Sequence, residues 1–203
     1  THLVRYLFST RADCLTFRKG YDHSEKLLAF VDASYASCAI TRRSHAGFVV
    51  FYMGCAILAK SHLQKLVAQS SCESEFMEAH HCGKVVKWVN RLLEHSGARP
   101  SATVPVLEDN KASIYLSRHP NLNGARTRHM EVRWHWLQQE CAAKRVALVY
   151  IPTESQIADI LTKPVSRKIY ELLAPQLMGS QSIMSEDLLT SLASFTGTPT
   201  DSN

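Results

Sequence analysis

KLLAFVDASYASCAITRRSHAGFVVFYMGCAILA, residues 26–59, holds three short apolar runs separated by polar breaks. Lys26 to Val31 is apolar and ends in Asp32-Ala-Ser, the pattern of a buried strand. Gly47 to Tyr52 is β-branched and aromatic, Met53-Gly54 supplies a turn, and Cys55 to Ala59 follows at once. Three strands on short connections predict an antiparallel meander. The period then changes. Ser70-Ser71, with Ser74 and Glu75 nearby, gives helix-capping chemistry. Phe76, Ala79, Gly83, Val86, Val89 and Leu93 recur at the spacing of one buried helical face, and Ser96-Gly97 stops it. Val104 to Leu107 reads as a strand, Lys111 to Leu116 as a short helix and Met130 to Lys144 as a long one. Val146 to Ile151 is a strand ended by Pro152, and helices are expected over Gln156 to Thr162 and Arg167 to Leu173. The order β-β-β-α-β-α-α-β-α implies an α/β fold. Its five-stranded mixed sheet has three antiparallel strands, then parallel strands, with helices on both faces.

The rest of the composition narrows the class. With 203 residues, 45% of them hydrophobic, the chain can bury one real core. No apolar run reaches 18 residues, so no membrane span is expected. Thr1 to Thr10 lacks signal-peptide order, and the missing initiator Met predicts a piece of a longer chain. The six cysteines form no CxxC pair, so neither a zinc site nor a disulfide framework is expected from them. Residues 175–203 carry three acids (Glu186, Asp187, Asp201) and no Lys or Arg. That leaves 23 basic against 15 acidic residues, net +8, on residues 1–174, a balance that suits a polyanionic partner. The Ser/Thr-rich segment 175–203 is expected to be a disordered tail, with at most a weak helix around Asp187 to Ala193.

Four acids stand where a sheet delivers side chains to an edge. Asp32 ends the first apolar run, Glu75 opens the long helix, Asp109 follows the fourth strand and Asp159 lies in IADIL. Each alone reads as a turn, cap or surface charge. Together they would repel unless a cation neutralised them, and a hard oxygen donor set selects Mg²⁺ or Mn²⁺.

Five segments carry a resemblance: VDASYASCAITRRSHAGFVVF (31–51), SSCESEFMEA (70–79), EDNKASI (108–114), RTRHMEVRWHWLQQE (126–140) and YIPTESQIADILTKPV (150–165). In this order and spacing they resemble the ribonuclease H domain of copia-type LTR retrotransposon polyproteins. The resemblance implies the ribonuclease H-like fold for 25–174. It reads 1–24 as the connection from the upstream reverse transcriptase polymerase. Asp32, Glu75, Asp109 and Asp159 match the family's four metal-binding, catalytic carboxylates. Ser34, Tyr35 and AILAKS (56–61) depart from it at positions that do not bind metal.

What the resemblance implies is an endonuclease that cuts the RNA strand of RNA/DNA hybrids during reverse transcription, by a two-metal mechanism using Mg²⁺, with Mn²⁺ as the alternative. Asp32 would bridge both ions, Asp159 would serve the one that activates water, and Glu75 and Asp109 the one beside the leaving oxygen. Partners would be the hybrid and the polymerase domain of the same polyprotein, with no membrane. The place would be cytoplasmic retrotransposon particles or the nucleus. Arg42, Arg43, Ser70, Ser71, Asn110, Arg128 and His129 are candidate nucleic-acid contacts, directed to phosphate and sugar. Arg42-Arg43 fit a solvated hairpin pair equally well, and His129 a proton shuttle. Trp134 shares a helical face with Leu137 and Cys141 and reads as core rather than as a base-stacking platform. Two alternatives stay open: an inactive nucleic-acid-binding or tethering module derived from such a domain, and another nuclease or integrase on the same fold.

Overall fold

The structure, a computed structural model, describes residues 2–17, 27–98, 101–119, 131–183 and 188–192. Its elements are α1 (His2–Ser9), β1 (Leu27–Ser34), β2 (His45–Tyr52), β3 (Cys55–Leu63), α2 (Ser71–His95), β4 (Val104–Glu108), α3 (Lys111–Arg118), α4 (Glu131–Ala142), β5 (Val146–Tyr150), a 3₁₀ turn (Thr153–Ser155), α5 (Asp159–Thr162) and α6 (Arg167–Leu177). The five strands form one sheet in the order β3-β2-β1-β4-β5. β1 pairs antiparallel with β2 and parallel with β4, and β5 runs parallel to β4. This is the mixed sheet the sequence predicts.

β1 lies at the centre, which explains its unbroken apolar run. Its alternate side chains serve two cores. Leu27, Ala29 and Val31 join Phe76, Val86, Trp134 and Leu137 on the face covered by α2 and α4. Leu28 and Phe30 join Ile157, Ala158 and Leu173 on the other. α2 begins at Ser70, whose hydroxyl accepts from Glu73 N at 3.1 Å, while Glu73 Oε2 accepts from Gln69 N at 2.7 Å. Glu73 is thereby committed to the cap.

The expected tail disorder is corrected over part of its length. Residues 178–183 and a helical stretch at 188–192 are described, and Ile183, Leu188 and Leu192 are buried in the second core. The i, i+4 pair Leu188 and Leu192 forms one apolar helix face, diluted in sequence by Ser and Thr. Residues 184–187 and 193–203 lie outside the described residues. α6 also runs past Leu173 and through Pro175, then stops at Gly179, which adopts φ +77°. Thr16 N donates to Met178 O at 2.8 Å there, and a Cβ on Gly179 would overlap Thr16 O. Glycine is required on both counts. No described helix is long and apolar enough to cross a membrane.

Candidate active site

Adjacent parallel strands carry Asp32 and Asp109 to the same sheet edge. Asp32 is not at the end of β1 as expected. The ladder continues through Ala33↔Ala46 and Ser34↔His45, and Asp32 sits inside it opposite Gly47, 4% exposed. Asp109 follows the last residue of β4 and is half-buried. Glu75 lies in the second turn of α2, which packs across β1. Asp159 is the first residue of α5 and is 4% exposed. The approach of α5 depends on Gly47, where a Cβ would stand 2.8 Å from Leu161 Cβ and 2.9 Å from Lys60 O. Any larger residue would push α5, and Asp159 with it, off the strand.

Side chains between 153 and 163 fix these acids. Thr162 donates its hydroxyl to Asp32 Oδ2, and Thr153 donates to Asp109 Oδ2 at 2.7 Å. Gln156 is fully buried and donates Nε2 to Val31 O at 2.9 Å, tying the segment to β1. Its Oε1 accepts from Ala158 N at 3.2 Å. That local bond favours a 3₁₀ turn and a four-residue α5 over the helix expected from Gln156 to Thr162. Lys163 Nζ lies 2.8 Å from Asp159 Oδ1 and 3.9 Å from Asp32 Oδ2.

The electrostatics link all four acids. Burial pushes the Glu75 carboxyl up to about 8, with the charges of Asp109 and Asp32 adding and Asn110 and Lys163 opposing. Burial likewise raises Asp159 to about 6, helped by Asp32 and Asp109 and resisted by Lys163. Asp32 is raised by burial and by Asp109, against the Thr162 hydrogen bond and Lys163. Among the described residues, four carboxylates therefore converge around one ammonium group, that of Lys163. Buried Glu75 Oε2 has no hydrogen-bond partner. An all-oxygen, mutually repelling donor set with an unpartnered buried oxygen fits a hard divalent cation.

This gives a pH prediction for the metal-free protein. Glu75, facing Asp109, Asp32, Lys163 and Asn110, holds a proton when folded that the unfolded chain releases near 4.5; Asp159 does so above 3.8. The folded state binds more protons through that window, so stability falls as pH rises from about 4.5 to about 8. Melting temperature in EDTA should decline across this range, and saturating Mg²⁺ should flatten the decline. A metal-free melting temperature that rises over the same window would refute the shifts.

Of the other predicted residues, Ser70 caps α2, and Asn110 caps α3 through Ala112 N and Ser113 N while also bonding Glu75. Ser71 is exposed at the start of α2. Arg42 is exposed in the β1–β2 loop, and Arg43 is half-buried with its Nε 3.3 Å from Thr41 Oγ1. Lys163 is the cation that acts on Asp32, Glu75 and Asp159. Arg128 and His129 lie outside the described residues. Trp134 is buried and stacked on Phe76, ring centroids 4.1 Å apart, which confirms it as core. Sequence reasoning missed Lys163 and Thr162; the Asp159–Lys163 i, i+4 spacing was the available signal. It also missed Glu108, fully buried beside the cluster. Burial, then the charges of Glu75, Asp109 and Asp32, hold its carboxyl well above the usual range against the Ser113 hydroxyl.

No protein-family model matches the chain. It is 36% identical over 180 residues to the retrovirus-related Pol polyprotein from transposon TNT 1-94 of Nicotiana tabacum, covering 89% of this chain and 13% of that protein. It is 27% identical over 175 residues to the Pol polyprotein from transposon RE1 of Arabidopsis thaliana, covering 86% of this chain and 12% of that one. The Transposon Ty1-DR5 Gag-Pol polyprotein of Saccharomyces cerevisiae is 27% identical over 173 residues, 84% of this chain and 10% of its own length. The chain thus spans about a tenth to an eighth of the curated relatives it matches. Among solved structures, LC11-RNase H1 in complex with RNA/DNA hybrid superposes with a TM-score of 0.51 at 13% identity, over 68% of this chain and 94% of that one. That likeness establishes the fold.

Proposed function

From the premise that the chain is homologous to one segment of copia-type retrotransposon Pol polyproteins and has the ribonuclease H fold, we propose that it is a metal-dependent endonuclease. It hydrolyses the RNA strand of RNA/DNA hybrids during reverse transcription. The observation that carries this reading is the convergence of Asp32, Glu75, Asp109 and Asp159, from four separate elements, on one locus. These four residues would hold two ions. When bound, Mg²⁺ (or Mn²⁺) supplies Lewis-acid stabilisation of charge building on the scissile phosphate.

The chain's own groups prepare that site. Thr162 and Thr153 orient the Asp32 and Asp109 carboxylates by donating to Oδ2 of each. Asn110 does the same for Glu75. Lys163, 2.8 Å from Asp159 Oδ1 and 3.9 Å from Asp32 Oδ2, offsets repulsion among the carboxylates. Glu75 would accept a hydrogen bond from a 2′-hydroxyl, the group that separates RNA from DNA. Ser70, Ser71, Asn110, Arg42 and Arg43 would hold backbone phosphates and sugars, without sequence preference. The working partners are the hybrid and the polymerase region of the same polyprotein, reached through residues 1–24, in cytoplasmic particles or the nucleus.

The test labels each strand in turn, in a hybrid and in a DNA duplex, with Mg²⁺ at low and high salt. Cuts are expected only in the RNA strand of the hybrid, leaving 5′-phosphate and 3′-hydroxyl ends. The DNA duplex should bind at low salt, release at high salt and stay whole, because charge attraction alone carries its affinity. Metal-dependent cutting of the DNA duplex would overturn the reading in favour of an integrase-like activity. A hybrid bound but uncut would favour the tethering module.

A further inference from the structure

A second constellation lies one turn further along α2 from Glu75. Glu78 and His81 stand three residues apart on one face of the helix, and β3 brings His62 to them. We propose that His62, Glu78 and His81 form a transition-metal site suited to Zn²⁺, separate from the four-carboxylate cluster.

Glu78 is a buried carboxylate, 2% exposed, and its neighbours are two imidazoles. His62 Nε2 lies 3.5 Å from Glu78 Oε2, and His81 Nδ1 lies 3.3 Å from Glu78 Oε1. Both separations exceed the ~2.7–2.9 Å of a charge-assisted hydrogen bond. Each is close to the roughly 3.4 Å edge of a tetrahedron built on bonds of about 2.1 Å, with one carboxylate oxygen facing each imidazole. One ligand atom from each residue lies within 4.8 Å of the others. Glu78 Oε1 and His62 Nδ1 are buried and lack a hydrogen-bond partner. The His62 and His81 rings pack edge to face, 5.4 Å between centroids, and His81 also meets Phe48, so both rings are held. Burial keeps His62 below the usual imidazole range, so it is neutral and able to coordinate at pH 7.

Two imidazoles and one carboxylate form a borderline donor set. It suits Zn²⁺ and disfavours Mg²⁺, which takes oxygen and keeps its waters. Three protein ligands leave a fourth position, and all three residues line an open pocket of about 440 Å³. Lys60, Lys65, Lys84 and Arg133 line that pocket. Their charge opposes a cation and favours an anion in the fourth position. Lys60 is the closest competitor, with Nζ 3.3 Å from His81 Nε2. It is exposed and can swing away.

The test is a titration of the full chain with Co²⁺ at pH 7.5 in excess Mg²⁺, read by visible absorption, and with Zn²⁺ read by calorimetry. One equivalent should bind, with the absorption of four-coordinate cobalt and no thiolate charge-transfer band. His62→Asn and His81→Asn should each weaken binding at least ~10-fold, while Asp32→Asn should leave it unchanged. Metal-free melting curves establish that each variant is folded. Lys60→Gln lies on the exposed rim and should tighten binding, since it removes a charge and a competitor. Binding that survives both histidine substitutions, disappears with Asp32→Asn, shows thiolate bands or weakens in Lys60→Gln would overturn the proposal. Absence of binding in a folded wild-type chain would do the same. None of these readouts depends on hybrid cleavage.

Discussion

Asp32→Asn and Asp109→Asn are expected to lose hybrid cleavage by about 10³-fold or more. In EDTA they should melt at or above the wild-type temperature. The first effect follows from the Lewis-acid term. Several kcal/mol of charge stabilisation depend on ions these carboxylates would hold, and each ~1.4 kcal/mol is tenfold in rate. The second follows from the cluster's own repulsion. Asp109 raises both Glu75 and Asp32, and Asp32 raises Asp159, so neutralising either aspartate relieves its neighbours. Asparagine keeps the shape and can still accept from Thr162 at 32 or Thr153 at 109. Cleavage at saturating Mg²⁺ and calorimetric melting in EDTA check the pair of outcomes. A metal-free variant that melts well below wild type would make these acids structural groups rather than ligands.

Truncation after Gly179 is expected to destabilise the protein by about 5 kcal/mol, lowering the melting temperature by roughly 10–20 °C. The cut removes Ile183, Leu188 and Leu192, each no more than 5% exposed, from the core that also holds Phe30, Phe51 and Leu173. Burying one such side chain contributes about 1.5–3 kcal/mol. The cut also removes Gln181, whose N–H donates to Pro175 O at 3.0 Å and closes the end of α6. Melting unchanged by the cut would mean that these three side chains do not dock, as the sequence composition suggested.

The strands of residues 27–52 were legible because β1 and β2 are buried on both faces, which leaves continuous apolar runs. β3 extends to Leu63 rather than stopping at Ala59, because Lys60 to Leu63 sit on a solvated edge strand that gives no apolar signal. The four site acids were legible through Asp32 closing an apolar run, Asp109 following a strand, Glu75 and Asp159 lying near helix starts, and through the resemblance. The groups that orient them were not. Thr162 meets Asp32 across 130 residues, and Gln156 reaches Val31 O across 125. Pairs that distant leave no periodicity to read. The same holds for His62 with Glu78 and His81, which meet only because the ladder sets β3 beside β2, on which α2 packs. Leu188 and Leu192 were hidden by a composition that lacks basic residues but still offers one helical face.

The most direct test of the central claim is anomalous diffraction from crystals of the full chain soaked in Mn²⁺, which locates a cation without relying on turnover. The four-carboxylate account predicts anomalous density touching Asp32 and at least one of Glu75, Asp109 and Asp159. That density should vanish in Asp32→Asn crystals. Saturating Mn²⁺ that leaves Asp32 bare, or that binds elsewhere with Lys163 still the cation among the acids, would contradict it.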